Sequence, residues 1–113
     1  EDPHVRGQLL DLITESRSNA LMAARSNVPA LASDWPSSVS MSGKLRSSEI
    51  KRRMCQFAIS LQGANGARYV SREAVDGGMW QRSYLNAFSG TIGGGTSQIQ
   101  HNIIGERVLG LPK

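Results

Sequence analysis

The stretch 91–100 holds the residues best suited to contact a ligand. Its three consecutive glycines, Gly93–Gly95, allow a backbone to come very close to a ligand or to another backbone. Thr96, Ser97 and Gln98 follow and open a predicted helix whose first amides have no partner within that helix. A helix start approached through glycine suits an anion or the polar edge of a cofactor. A sharp turn between two helices is the plainer explanation, and it would need only one or two glycines.

Two common glycine-rich nucleotide motifs are excluded at this position. A P-loop would need a Lys-Ser or Lys-Thr pair after the glycines, and none is present. A dinucleotide-binding fingerprint would follow a strand, whereas a helical pattern precedes these glycines. Metal chemistry is not expected either, because His101 has no second ligand at metal-binding spacing and His4 lies in another predicted helix.

Charge and cysteine content narrow the class of protein. The chain has 113 residues, a net charge of +4 and one basic run, at 51–53, which lies in a helical pattern and predicts a solvated face rather than a nucleic-acid surface. The single Cys55 stands among apolar residues, which indicates a buried thiol in a cytoplasmic protein. No apolar run reaches the ~20 residues that a membrane span needs.

The elements that would position the glycine run all read as helices. Asp2 and Pro3 predict the start of the first helix, which we expect to continue to about Ser26. A connection over 27–38 leads to a second helix that starts near residues 38–41. In both helices the residues of one stripe recur at three- and four-residue spacing. The stripe of the first helix is Val5, Leu9, Leu12, Ile13, Ser16, Ala20 and Ala24. The stripe of the second helix is Leu45, Ile50, Met54, Phe57, Ala58 and Leu61.

The second half of the chain predicts two more helices. The second helix should end at Gly63, and residues 64–77 form the next connection. A third helix follows and stops at the glycines, and a fourth starts at Thr96 or Ser97, with Ser97 and Gln100 spaced as a capping box, and ends at Pro112. The apolar residues of these helices are Trp80, Tyr84, Ala87, Phe88 and Thr91, then Ile99, Ile103, Ile104, Val108 and Leu111. Together these features predict an all-α, up-and-down bundle of about four helices.

Residues 92–112 resemble the closing motif of acyl-CoA dehydrogenases almost without interruption. The likeness extends more loosely over 2–25, over the Gly43-Lys44-Leu45 helix entry and over 76–84. The resemblance implies that residues 1–113 form a single helical-bundle domain, the C-terminal domain of a longer flavoprotein. The N-terminal helical domain and the central β domain of that protein are absent from this sequence. Because apolar residues make up only 39% of the chain, we also expect this bundle to bury a further face against missing partners.

The resemblance also implies a set of contacts. Thr96, Ser97 and Gln98 would contact FAD, and Gly95 would lie against an acyl-CoA substrate. A second flavin contact in the family is a Gln-x-x-Gly-Gly segment, which corresponds here to 60–64. Flavin sites in this family are shared between subunits, so a dimer or tetramer is implied, and an electron-transfer flavoprotein is a candidate electron acceptor. In the second segment only Gly63 is retained, while Ser60 and Ala64 replace the glutamine and the second glycine.

One functional residue of the family is missing from this chain. Many members carry a catalytic glutamate immediately before the Gly-Thr of the closing motif, to remove the α-proton of the thioester, and this position is Gly94. Some branches place the glutamate on an earlier helix, which would lie upstream of Glu1. The alternative is a subunit without a base that pairs with an active one. Glu73 and Glu106 are expected to have surface or salt-bridge roles.

Three functions follow from these observations. The first is an FAD-dependent acyl-CoA dehydrogenase that desaturates an acyl-CoA between the α- and β-carbons, with the isolated fragment inactive. The second is a non-catalytic subunit of a heteromeric acyl-CoA dehydrogenase. The third is a stand-alone helical interaction module, for which the basic run at 51–53 is the only support.

Overall fold

The computed structural model describes residues 2–31 and 36–112, and every regular element in these ranges is helical. This confirms the predicted all-α class. The four α-helices are α1 (Pro3–Arg25), α2 (Pro36–Ser60), α3 (Met79–Ile92) and α4 (Ser97–Arg107), and three short 3₁₀ helices span Pro29–Leu31, Gly63–Ala67 and Val75–Gly78.

The starts of the first two helices follow from local chemistry. The Asp2 carboxylate accepts a hydrogen bond from the His4 backbone N–H at 2.8 Å, and Pro3 occupies the first turn, as predicted. Helix α2 begins at Pro36, earlier than the predicted start near 38–41, because a proline in a first helical turn sacrifices no hydrogen bond. The predicted connection over 27–38 is therefore shorter, and residues 32–35 of it lie outside the described residues.

The ends of α4 differ from the prediction in two ways. The cap is Thr96, whose Oγ1 accepts a hydrogen bond from the Ile99 N–H at 3.3 Å, so the predicted capping box of Ser97 with Gln100 is wrong. The helix ends at Arg107 and does not extend to Pro112, since Gly110 adopts a φ of 65° and turns the chain back.

Helix α2 is the centre of the fold and packs against α1, α3 and α4. The described chain is elongated, with extents of 52 × 30 × 23 Å. Its core is small and consists of aliphatic side chains, one thiol and, in addition, two buried glutamine side chains. These buried residues are Leu45, Ile50, Cys55, Ala74, Ala87, Gln81 and Gln100. The centre of the fold is thus the middle of α2 and the α3 face packed on it.

Helix α1 contributes little to this core. None of its described residues is buried, and Leu9 and Ile13, which the predicted stripe assigned to packing, are almost half exposed. The reason is that α1 packs mainly on one neighbour, α2, and leaves the rest of its stripe open. Side-chain bonds hold the two helices together: Asn19 donates to Ser47 Oγ at 3.1 Å, and Arg53 forms an ion pair with Glu15.

Candidate functional site

The glycine turn, residues 93–95, connects α3 to α4 in a conformation that depends on glycine. Gly93 ends α3 and donates its N–H to the Ser89 carbonyl at 2.7 Å. Gly94 and Gly95 then adopt φ angles of 70° and 100°, in the region that side-chain-bearing residues rarely enter. A Cβ on Gly95 would stand 2.8 Å from the Gln100 side-chain nitrogen. The turn therefore requires glycine for its backbone shape and, at Gly95, for space.

Two side chains hold this turn from outside it. Lys44, on α2, donates from Nζ to the carbonyl oxygen of Gly95 at 2.6 Å. Gln100, on α4 and only 9% exposed, donates from Nε2 to the carbonyl oxygen of Gly94 at 2.9 Å. Three helices thus meet at the turn, and both of its central peptide groups have their carbonyls fixed.

The amides that follow the turn are free. Thr96, Ser97 and Gln98 make no backbone N–H hydrogen bond to any part of the chain that the structure describes. Their orientation is the usual one for a helix start, with the N–H groups directed out along the helix axis. Thr96 and Ser97 are half-buried and Gln98 is exposed. The predicted flavin contacts therefore form a short row of unpaired donors beside a turn without side chains.

The charged groups at the glycine turn give it a mildly positive electrostatic potential. The two ion pairs within residues 2–31 and 36–112 are Arg53 with Glu15 and Arg68 with Glu73, so no carboxylate in these ranges pairs with Lys44. The partial positive charge of the α4 N-terminus adds to that of the Lys44 ammonium group.

The two glutamates that we expected to have surface or salt-bridge roles have them. Glu73 forms an ion pair with Arg68, and Glu106 is exposed.

No general base stands at the turn. Position 94, where the family resemblance expects a glutamate, carries no side chain, and a Cβ built there would meet only Lys44 Cε, at 4.0 Å. A carboxylate at this point would thus lie beside the ammonium group. Since a glycine side chain cannot accept a proton, position 94 supplies no general base.

The second predicted contact segment, 60–64, lies at the other end of α2. Ser60 is the last residue of α2 and donates its hydroxyl to the Phe57 carbonyl at 2.7 Å. Gly63 has a φ of 54° with open space around it, and Ala64 is exposed. Lys44 and Ser60 are sixteen residues apart on one helix, which corresponds to roughly 24 Å. The fold therefore does not bring the two predicted contact segments of one chain together.

Sequence reasoning missed the residue that holds the second segment. Gln81, on α3 and 7% exposed, donates from Nε2 to Gln62 Oε1 at 2.9 Å and to the Gly66 carbonyl at 3.1 Å. Its own Oε1 is buried and has no partner among the described residues. Gly66 must be glycine, because a Cβ there would meet the Ile59 carbonyl at 2.8 Å. The only sequence signal was a glutamine on the apolar side of a predicted helix.

Two adjoining grooves run between α1 and α2. The apolar groove has a volume of about 390 Å³. The polar groove, of about 440 Å³, includes Ser60. Trp80, predicted to pack, forms one end of the apolar groove and donates its indole N–H to Asp76 at 2.8 Å. The apolar groove is lined mainly by Leu9, Leu12, Ile13, Met54, Phe57 and Leu61.

The remaining candidates have no role at the turn. Cys55 is 4% exposed, as predicted, and burial raises the pKa of its thiol, which disfavours the reactive thiolate. His4 contacts Gln8, and His101 is exposed. Among the described residues, no group of three or more His, Cys, Asp or Glu side chains is placed to hold a metal ion. None of the described helices combines the length and apolar content needed to cross a bilayer.

Comparisons with known proteins agree on the family to which this chain is similar. Residues 1–109 match the family model for the C-terminal domain of acyl-CoA dehydrogenases. The chain is 36% identical over its whole length to the acyl-CoA dehydrogenase IpdE1 of Mycolicibacterium smegmatis, and 35% identical to the protein of the same name from Mycobacterium tuberculosis. It spans 27% and 28% of the lengths of these two relatives. No solved structure gives a significant match.

Proposed function

Because the chain belongs to the acyl-CoA dehydrogenase family, as its C-terminal helical domain, we propose that it is part of an FAD-dependent acyl-CoA dehydrogenase. The reaction is α,β-desaturation of an acyl-CoA thioester. The chain spans about 27% of its curated relatives, so the activity belongs to the longer polypeptide, and residues 1–113 alone are inactive. The cytoplasmic location expected from the sequence is part of the same proposal.

The glycine turn and the free amides after it are the observation that carries this proposal. FAD offers phosphate oxygens, ring carbonyl oxygens and unprotonated ring nitrogens that accept hydrogen bonds from backbone N–H groups. Thr96, Ser97 and Gln98 present such donors at a helix N-terminus, where anions are favoured. Gly94 and Gly95 place no side chain in the approach, and their positive φ angles favour glycine at both positions. The residues present therefore fit the cofactor.

Each part of the turn then has a proposed task. Thr96, Ser97 and Gln98 hold the flavin nucleotide, and Gly95 lies against the acyl-CoA. When bound there, FAD would supply the chemistry that accepts a hydride from the β-carbon of the acyl group. Removal of the α-proton requires a carboxylate. Since Gly94 cannot supply it, the base comes from another segment or another subunit.

The separation of the two contact segments supports an oligomer. Ser60 and Gly63 lie at the far end of α2 from the glycine turn, roughly 24 Å away along the helix. A flavin at the turn of one subunit would meet the 60–64 segment of a second subunit rather than that of its own. We propose a dimer or tetramer with shared flavin sites, and an electron-transfer flavoprotein as the electron acceptor.

Gly94 favours a second candidate function, a non-catalytic subunit of a heteromeric acyl-CoA dehydrogenase. Such a subunit would hold flavin or shape the interface while its partner supplies the base. A stand-alone interaction module has no comparable support, since Arg53 of the basic run is engaged with Glu15.

Product analysis tests the proposed function and separates the two candidates. The full-length polypeptide, purified alone, is incubated with a panel of straight-chain, branched and ring-bearing acyl-CoAs and an artificial electron acceptor. Mass spectrometry of the thioesters should reveal one that is lighter by two hydrogen atoms. If that product forms only after co-expression with a second dehydrogenase subunit, the heteromeric function is correct. If no thioester changes in either preparation, the proposed function is wrong.

A further inference from the structure

We infer that Lys44 is a positioning residue of the flavin site: its ammonium group fixes the Gly95–Thr96 peptide so that the free amides at the start of α4 face the cofactor. This inference rests on the proposed function. It concerns a residue of α2 that is separated from the turn by 51 positions in sequence. Lys44 itself does not touch the flavin or the reacting atoms.

The inference starts from the geometry of a peptide group. In a trans peptide the C=O and the following N–H point in opposite directions, because the group is planar. Lys44 Nζ binds the Gly95 carbonyl at 2.6 Å, so the Thr96 N–H is directed away from Lys44. The chain has no cis peptide bond among its described residues. Fixing one carbonyl therefore fixes the direction of one of the proposed flavin donors.

A glycine turn needs such an external restraint. Glycine populates positive and negative φ about equally, so Gly94 and Gly95 have no intrinsic preference for φ angles of 70° and 100°. Gln100 binds the Gly94 carbonyl and so restrains only the preceding peptide, between the two glycines. The Gly95–Thr96 peptide is held by Lys44 alone among the described residues.

The bond from Lys44 is suited to this task. A hydrogen bond from an ammonium group is stronger than one between neutral groups. Lys44 is half-buried, and no carboxylate within the described ranges competes for its ammonium group. The bond also couples α2 to the junction of α3 and α4, so that three helices meet at the peptide that carries the Thr96 N–H.

Flavin affinity in the full-length polypeptide tests the inference. Lys44→Met removes the ammonium group and keeps the apolar stem, Lys44→Arg keeps a cationic donor, and Lys51→Met is the matched control, since Lys51 is exposed on the same helix. Apoprotein of each variant is titrated with FAD while flavin fluorescence and the visible absorption spectrum are recorded. Thermal unfolding of each apoprotein, followed by circular dichroism, reports whether the fold is intact.

The expected result is a specific loss of affinity. Lys44→Met should weaken FAD binding about tenfold, because binding must then order the backbone of the Gly95–Thr96 peptide, and it should alter the spectrum of the bound flavin. Lys44→Arg should recover most of the affinity, and Lys51→Met should match the wild type. Lys44→Met should lower the unfolding temperature of its apoprotein by only a few degrees, so that all four apoproteins are folded at the temperature of the titration.

The possible failures can be told apart. If the wild type binds FAD and Lys44→Met binds it equally well, the inference is wrong while the proposed function stands. If Lys44→Met loses FAD only at temperatures where its apoprotein is already unfolding, Lys44 is merely structural and the inference is wrong. If the wild type binds no FAD, the proposed function fails and the inference fails with it.

Discussion

The side-chain amide of Gln81 donates to the carbonyl oxygen of Gly66 at 3.1 Å, and this bond joins α3 to the 3₁₀ turn that follows α2. The same nitrogen reaches Gln62 at 2.9 Å, so one buried side chain holds both ends of the turn. This 3₁₀ turn, Gly63–Ala67, begins within the 60–64 segment and shares residues 63 and 64 with it. The shape of that segment therefore depends on a residue fifteen or more positions away in sequence.

We expect Gln81→Met to destabilise the domain. The variant keeps the length of the side chain but leaves the Gly66 carbonyl without its donor, which costs roughly 1–3 kcal/mol for a buried acceptor. Urea unfolding of the full-length polypeptide, followed by circular dichroism, measures the change. Gln56→Met on exposed α2 surface is the control and should stay within about 0.5 kcal/mol. An unchanged urea midpoint for Gln81→Met would contradict this role.

Two glycines should respond to alanine in opposite directions. Gly95→Ala places a Cβ 2.8 Å from Gln100 Nε2 at a φ of 100°, so we expect a loss of more than about 1 kcal/mol and weaker FAD binding. Gly7 lies within α1 with nothing near its Cβ position, and Gly7→Ala should stabilise the protein by about 0.5–1 kcal/mol. Urea unfolding and FAD titration measure both. Equal effects of the two substitutions would show that the turn does not require glycine at position 95.

Part of this architecture could be predicted from the sequence because its determinants are local. The Asp2-Pro3 start of α1, the end of α3 at Gly93 and the start of α4 at residues 96–97 each depend on residues within one turn of the boundary. The all-α class follows from the same local periodicity. The sequence left Thr96 and Ser97 as alternative starts of α4, and the extended backbone of Thr96, with ψ of 162°, makes Thr96 the cap.

The contacts that give the site its shape could not be predicted. The bond from Lys44 to Gly95 joins residues far apart in sequence, and so do the bonds from the buried Gln81 to Gln62 and Gly66. Helix α1 was assigned a buried stripe since periodicity indicates which face is apolar, but not whether a partner covers it. In this chain α2 covers part of that face, and Leu9 and Ile13 remain almost half exposed.

The ion pair between Glu15 and Arg53 should make stability depend on pH in the acid range. The hydrogen bond from Arg53 lowers the pKa of Glu15 below its unfolded value. A carboxylate with a lowered native pKa contributes stability above the unfolded pKa, about 4.3, and the contribution is lost as the pH falls through the native pKa. The thermal midpoint of the wild type should exceed that of Glu15→Gln at pH 7, and the gap should close below about pH 4.

A control variant shows whether the pH dependence arises from the Glu15–Arg53 ion pair. Arg53→Gln removes the partner of Glu15 and keeps the carboxylate, so the gap between the wild type and Arg53→Gln should also close at low pH. A gap between wild type and Glu15→Gln that persists at low pH would mean that the glutamate acts through packing and not through its charge.

Cys55 should be almost unreactive in the native protein. It is 4% exposed, and burial raises the pKa of its thiol, so little thiolate is present and reagents have poor access. A colorimetric disulfide reagent at pH 8 should label Cys55 far more slowly in native protein than in urea, with peptide mapping used to assign the site. Rapid labelling under native conditions would contradict the packing of α2 against its neighbours.

Anaerobic bleaching of the flavin absorbance in the full-length polypeptide is the most direct test of the central claim. The protein should purify yellow, and an acyl-CoA from the panel should bleach it without any external electron acceptor, because the β-hydride has moved to the flavin. The thioester that bleaches fastest identifies the acyl class. A yellow protein that no acyl-CoA bleaches, alone or with a partner subunit, or a colourless protein that does not take up FAD, would contradict the assignment of the glycine turn to a dehydrogenase site.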